Sequence, residues 1–339
     1  MNGSILNRTT RQRQHGRRLW RWLNISVLGL LAIIVILLAA GVIYQAVGAT
    51  NDARRYPPPG QLVSVGDYSL HLYCMGEGSP TVILETLAGG TSANWGWVQP
   101  EIAPTTRVCA YDRAGRGWSE MGAPVQDLWG TAEDLHTLLQ NASVEAPYVL
   151  VGHSIGGLYV RAFAHQYPDE VASVVLVDAS HPEQFDRYPE YATQNEDFQR
   201  LSAVFPTLAR IGLFRFFFAT GGEIDFQDLP PQQHAELAAF WSSPAYFQSQ
   251  QAEGRAVATI YTQAHELPSL GDLPLAVISA GINPASWATL QADLATLSTN
   301  STHLTIAEAT HASLAFHPDH ARQTSGTILQ VVEAVTRKR

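Results

Sequence analysis

The stretch Gly152-His153-Ser154-Ile155-Gly156-Gly157 holds a serine between glycines. It lies directly behind the apolar run Tyr148-Val149-Leu150-Val151 and ahead of Leu158-Tyr159-Val160-Arg161-Ala162-Phe163-Ala164-His165. The apolar run predicts a strand and the stretch after it a helix, which puts Ser154 on the turn between them. Such a turn strains its central residue and pushes Oγ into the open. Only near-zero side chains at 152 and 156 let strand and helix come that close. Amide N–H groups at the start of the helix lie beside the hydroxyl, the setting a nucleophile attacking a carbonyl needs. The base that activates it must be a histidine, because its pKa has to lie near neutrality. Twelve histidines are available. The single lysine, Lys338, lies near the chain's end, which excludes a Ser–Lys dyad or a Schiff-base lysine in a core.

The elements that would position these groups follow an α/β rhythm, with apolar runs of strand length alternating with helical stretches. Leu62–Val65 and Leu70–Cys74 read as opening strands around a Gly66-Asp67 turn, Thr81–Glu85 as a third strand and Arg107–Tyr111 as a fourth. A helix is expected over Leu128–Gln140, with Leu128, Leu135, Leu138 and Leu139 on one face. Tyr148–Val151, Ser173–Val177, Leu275–Ser279 and His303–Ile306 supply the later strands, and a helix closes the chain over Pro318–Thr336. Residues 183–270 break the rhythm. They are aromatic-rich and punctuated by proline, with no convincing strand, and read as an inserted helical cap.

The first 21 residues carry six arginines (Arg8, Arg11, Arg13, Arg17, Arg18, Arg21) and no acid, and Leu23 to Ala49 then carry no charge. A helix apolar on every face for that length is enough to cross a bilayer of roughly 30 Å. Trp20 and Trp22 suit the interface, and the arginines hold their end in the cytoplasm. The expected order is a basic cytoplasmic tail over 1–22, a transmembrane anchor over 23–47, a stiff proline-bearing linker over 48–60 and a catalytic domain over 61–339 outside the membrane. Val47-Gly48-Ala49 also offers a peptidase small residues, so the alternative is a secreted protein released by signal cleavage. Without the six N-terminal arginines, thirty acids face fifteen bases. An acidic body excludes nucleic acid as a partner. Cys74 and Cys109 are too few for a metal cluster or a disulfide framework, and neither metal nor cofactor is expected.

Beyond the serine turn, Tyr111-Asp112-Arg113-Ala114-Gly115-Arg116-Gly117-Trp118-Ser119 is similar to a D-x-x-G-x-G-x-S loop that follows a fourth strand. With these two motifs the chain resembles the α/β-hydrolase superfamily, in its serine-hydrolase branch, over residues 62–182 and 273–335. Gly115-x-Gly117 could also open a dinucleotide loop, but no third glycine and no suitably placed acid follow it. The resemblance implies an α/β-hydrolase fold: a mostly parallel eight-stranded sheet with helices on both faces and an inserted cap, here behind one transmembrane helix. It places the catalytic histidine between the last strand and the last helix, at His311. His153 is expected to point away from the nucleophile by strand alternation, and His317 and His320 to be a solvated helix start. Many members carry the triad acid after the seventh strand, but Ser279–Pro284 holds no carboxylate. Some carry it after the sixth, which selects Asp178, with Asp293 and Glu308 as lesser candidates. The oxyanion hole would use the N–H of Ile155 and, by alignment of Glu85-Thr86 with the family's usual His-Gly, that of Leu87. In this fold the second and fourth strands are neighbours, so Cys74 and Cys109 fall side by side, and export would let them pair.

The activity this implies is hydrolysis of an ester, less readily an amide, of a small, lipophilic substrate through an acyl-enzyme. An acyltransferase or a cofactor-free haloperoxidase could use the same triad. A non-catalytic binding or adhesion module on the same fold is the alternative of a different class. In the cap, Leu213–Phe218 and Phe240-Trp241 read either as the cap's own core or as the lining of an apolar substrate channel.

Overall fold

The computed structural model describes residues 4–122, 127–222 and 228–337, with side chains from Trp20 onward. Helix α1 spans Ser4–Arg55, and β1 (Gln61–Ser64), β2 (Ser69–Met75) and β3 (Thr81–Glu85) follow. Next come α2 (Val98–Ile102), β4 (Val108–Tyr111), α3 (Leu128–Asn141), β5 (Tyr148–His153), α4 (Gly156–Gln166) and β6 (Val171–Val177). Six helices are inserted before the next strand: α5 (Gln184–Arg187), α6 (Pro189–Ser202), α7 (Phe205–Arg210), α8 (Leu213–Ala219), α9 (Pro231–Trp241) and α10 (Pro244–Ala264). The chain closes through β7 (Leu275–Ala280), α11 (Ala285–Leu294), β8 (Ser301–Ile306), α12 (Ser313–Phe316) and α13 (Pro318–Arg337).

The eight strands form one sheet in the order β1-β2-β4-β3-β5-β6-β7-β8, antiparallel at β1/β2 and β2/β4 and parallel elsewhere. Both faces are covered, so the central strands are apolar without interruption. Alternation divides them. Leu150, Val174 and Val277 pack with Leu135 and Leu138 of α3 and Leu158 and Phe163 of α4. Val149, Val151, Val175 and Ile278 pack with Ile102 of α2 and with Ile328 and Val332 of α13. Helix α3 starts where its sequence provides a cap: the Asp127 carboxylate accepts from the Gly130 N–H at 2.8 Å.

Helix α1 runs past the expected end of the anchor. Asn51–Arg55 continue the helix, so only residues 56–60 of the expected linker lie outside it. The run stops where Pro57 disfavours helical geometry at Tyr56. From Trp20 to Ala40 every side chain is exposed, and this is the one helix among the described residues long and apolar enough by itself to cross a membrane. The Arg8–Arg18 side chains and Lys338 lie outside the described residues.

Cys74 on β2 and Cys109 on β4 face each other in register and form a disulfide, with Cα atoms 4.0 Å apart. The bridge closes a separation of 35 residues. In the chain-entropy account such a loop stabilises by roughly 3–4 kcal/mol. Replacing the pair together, Cys74→Ala with Cys109→Ala, is expected to lower unfolding free energy by about that amount in denaturant titrations of the oxidised protein. An unchanged midpoint would show that the bridge contributes nothing to the folded state.

Candidate active site

The turn after β5 has the geometry its glycines imply. Ser154 has φ of 58°, an uncommon value for a residue with a side chain. Around it, Ser154 N–H donates to Val177 O at 3.1 Å, and Ser154 O accepts from Gly157 N–H at 3.0 Å and Ser180 N–H at 2.9 Å. A Cβ at Gly152 would lie 2.5 Å from Gly156 O, and one at Gly156 2.8 Å from Glu85 O. No larger residue fits there without moving backbone.

Asp178 ends β6, is fully buried and also has positive φ, 43°. Its Oδ1 accepts from Ala280 N–H at 3.1 Å and from the Asn283 amide at 2.9 Å. Its Oδ2 meets His311 Nδ1 at 2.6 Å. That contact holds the His311 ring through Nδ1, so Nε2 is the ring nitrogen left for a second partner. The loop after β7, where many members carry the acid, thus supports it instead through Asn283. The lesser candidates are elsewhere. Asp293 pairs with Arg187 at the surface, and Glu308 is exposed. Ser154 and the His311 ring are both partly open, and among the described hydrogen bonds none joins Ser154 Oγ to that ring. Serine–histidine contacts are often long in free enzymes and tighten with substrate.

His153 has partners that its own strand does not announce. Its ring Nε2 donates to the His311 carbonyl at 2.9 Å, and the two rings lie 4.8 Å apart. The loop from β8 to α12 folds back over the end of β5 and meets the ring. Burial first, and then the neighbouring His311, hold the His153 pKa down to about 3. It is a neutral strut beneath the loop. Trp287 of α11 presents its ring at 88° to His311, with centroids 5.7 Å apart, a contact no local sequence signal announces. The His317 and His320 rings lie 4.7 Å apart and tilted by 36° at the start of α13, and His320 Nδ1 is bonded to Ser313 Oγ.

The N–H groups of Ile155 and Leu87 have no acceptor among the described backbone hydrogen bonds. The strand-three loop that carries Leu87 is held by buried charges. Arg113 donates to Thr86 O at 3.0 Å, Leu87 O at 2.9 Å and Glu253 Oε1 at 2.7 Å, and also pairs with Glu85. Glu253, on cap helix α10, also accepts from Arg116 at 2.6 Å and from Gly89 N–H at 2.9 Å. Burial alone would raise the Glu253 carboxyl, but the two guanidiniums and the Gly89 amide bring it below the usual range. Burial raises Glu85, and Arg113 offsets this only in part. The D-x-x-G-x-G-x-S loop therefore supplies two arginines that lock the loop of Leu87 to the cap. Among the described residues no cluster of His, Cys, Asp and Glu has the arrangement of a metal site.

A family model described as alpha/beta hydrolase fold matches residues 80–318. Among curated sequences the chain is similar to an uncharacterized protein of Schizosaccharomyces pombe, 34% identical over 189 residues. That match covers 54% of this chain and 33% of the relative, so the chain spans about a third of the relative's length. Among solved structures it is similar to an epoxide hydrolase from Acinetobacter nosocomialis, with a TM-score of 0.67, 15% identity, and 84% and 96% of the two chains covered. It is also similar to a thermophilic esterase from Thermogutta terrifontis, with a TM-score of 0.60, 20% identity, and 80% and 98% covered. At these identities the likeness to solved structures is one of fold.

The depressed His153 pKa has a thermodynamic consequence. Between pH about 6.5 and about 3 the unfolded chain protonates this ring and the folded chain does not. Stability is therefore undiminished above the upper value and is lost as pH falls toward the lower one. His153→Gln keeps a donor for His311 O without the titration. Its unfolding free energy, measured in detergent between pH 4 and 6, should fall less steeply than wild type by about 1.4 kcal/mol per pH unit. Equal slopes would mean that the ring is protonated in place.

Proposed function

The chain belongs to the alpha/beta hydrolase fold family, and on that premise we propose that it is a serine hydrolase cleaving a carboxylic ester, less readily an amide. The observation that carries the reading is the 2.6 Å contact between His311 Nδ1 and the buried Asp178, at the same end of the sheet as a serine with positive φ. In this mechanism Ser154 Oγ attacks the carbonyl carbon while His311 Nε2 takes its proton. Asp178 holds the ring and stabilises the imidazolium. The tetrahedral oxyanion is received by the Ile155 and Leu87 N–H groups. As the C–O bond to the leaving group breaks, His311 returns the proton to the departing alcohol. A water then repeats the sequence on the acyl-enzyme and releases the acid and the free serine. We read α1 as the anchor, with the arginine-rich end in the cytoplasm and the hydrolase outside, because six arginines precede the apolar run and Arg54 and Arg55 follow it.

A fluorophosphonate probe should label the wild type and leave Ser154→Ala unlabelled, with p-nitrophenyl ester turnover lost in the same variant and the circular dichroism unchanged. Asp178→Asn should lower kcat roughly 10³–10⁴-fold. A folded protein that neither takes the probe nor turns over esters of any chain length would support a non-catalytic module instead.

Arg113 is a positioning residue in this scheme, because its fork holds Thr86 O, the carbonyl of the peptide that carries the Leu87 N–H, and Leu87 O, the carbonyl of the next peptide. Arg113→Lys keeps the charge and loses the fork. It should lower kcat by roughly 10–100-fold with KM little changed, since an error of about 1 Å at the reacting centre has that cost. A variant with altered KM and intact kcat would remove Arg113 from this role.

A further inference from the structure

Of the two readings of Leu213–Phe218, cap core or apolar channel lining, neither covers the whole segment. Phe214 packs inward against Phe205 and Phe247, whereas Leu213, Phe216 and Phe217 face out. Leu201 and Val204, just before α7, join them, and Phe216 and Leu201 are 60% and 67% exposed. From Leu201 to Gly222 the sequence holds two arginines and no acid, although the exported body as a whole is acidic.

This patch lies against α1. A Cβ at Gly41 would sit 2.4 Å from Ile211 O, in the turn between α7 and α8, and one at Gly48 would sit 2.3 Å from Arg215 Nε. Between them Gln45, buried although it lies on the membrane-type helix, donates to Ser242 O at 2.9 Å and accepts from Arg215 Nε at 3.0 Å. Arg215 also pairs with Asp52 at 2.7 Å. Positions 41, 45 and 48 share one face of a helix, and 52 extends it. At 1.5 Å per residue, Gly41 stands about 30 Å along α1 from Arg21, which is the thickness of a bilayer's apolar core. The α7–α8 turn therefore meets α1 at the level where the outer boundary of that core would fall.

We propose that the α7–α8 elbow of the cap is seated in the outer leaflet of a phospholipid bilayer, with Leu201, Val204, Leu213, Phe216 and Phe217 as its immersed face. It is locked at that depth to α1 through Gly41, Gln45, Gly48 and Arg215. The inference rests on the reading of α1 as a membrane span. The occupant is lipid because the α7–α8 turn adjoins α1, whose apolar side chains are exposed, and because Arg210, exposed at that turn, suits a phosphate headgroup above the acyl chains, Arg215 being taken by Asp52 and Gln45.

The test is spin-label depth in the full chain, reconstituted in nanodiscs of phosphatidylcholine and phosphatidylglycerol, the native cysteines remaining paired. Phe216→Cys and Leu201→Cys carry the labels one at a time, with Ile36→Cys as a mid-span reference and Thr299→Cys, exposed at the far end of the sheet, as a water reference. Both cap labels should be relaxed more by oxygen than by a water-soluble nickel chelate, approaching the ratio at Ile36. Nickel access equal to that at Thr299 would overturn the proposal, and shielding from both reagents would show a second copy or another protein on the patch instead. A water-exposed Ile36 would overturn the span and this inference with it. None of these outcomes depends on whether Ser154 is a nucleophile.

Discussion

A carboxylate with no access to water has to have its oxygens occupied, and around Asp178 that requirement organises the whole end of the sheet. Stripped of partners, such a group would neutralise or unfold its surroundings. Here one oxygen takes the backbone of Ala280 and the amide of Asn283, and the other takes His311. Each partner comes from a different segment: the end of β7, the loop behind it and the loop behind β8. The carboxylate can be filled only when β6, β7 and β8 are in register. The parallel pairing of these three strands is thus a precondition of the dyad. His153 extends the constraint to β5, bonding the His311 carbonyl as Asp178 bonds its ring.

A second set of buried charges does the same for the cap. Glu85, Arg113, Arg116 and Glu253 join the end of β3, the loop behind β4 and helix α10. Their mutual satisfaction adds little to stability against an apolar replacement, because the desolvation of four charges offsets the attraction. What the cluster contributes is position. Guanidinium forks bond the Thr86 and Leu87 carbonyls, and the carboxylate bonds the Gly89 amide, so three peptides of one short loop are fixed by charges anchored on other elements.

The residues that could be read from sequence were those whose role is set locally. Ser154 was legible because the glycines around it and the strand before it fix the turn by sterics alone, and the sheet because unbroken apolar runs of strand length alternate with helical stretches. His311 and Asp178 were legible through their places in the order of elements, supplied by resemblance. The rest depends on contacts across long separations. Arg113 and Glu253 are 140 residues apart, and Arg215 and Gln45 are 170 apart. The partner of His153 was out of reach for a related reason. Alternation gives the direction of a side chain from its own strand, and nothing in β5 tells which distant loop will cover that face. The overrun of α1 to Arg55 has the same origin, since Asp52 and Gln45 bond the cap from the helix's last turns.

The cap is therefore held with unequal strength on its different sides. At α10 its tether is a nearly buried carboxylate shared by two arginines, and breaking one partner away would cost roughly 3–5 kcal/mol. At α8 it is held by Arg215, which bonds both Gln45 and Asp52 of α1. At α5 and α6 the holds are lighter: the solvent-screened Arg187–Asp293 pair, and Tyr191, which bonds Ser286 Oγ at 2.9 Å and meets the Trp287 ring. Exposed pairs of that kind contribute little, because water and salt compete for both partners. The firm tethers lie on the side of the Leu87 loop and of α1, while the light ones lie beside Trp287 and His311. That asymmetry keeps the Leu87 loop and the contact of α8 with α1 fixed while leaving the α5–α6 flank as the part of the cap that gives way most cheaply.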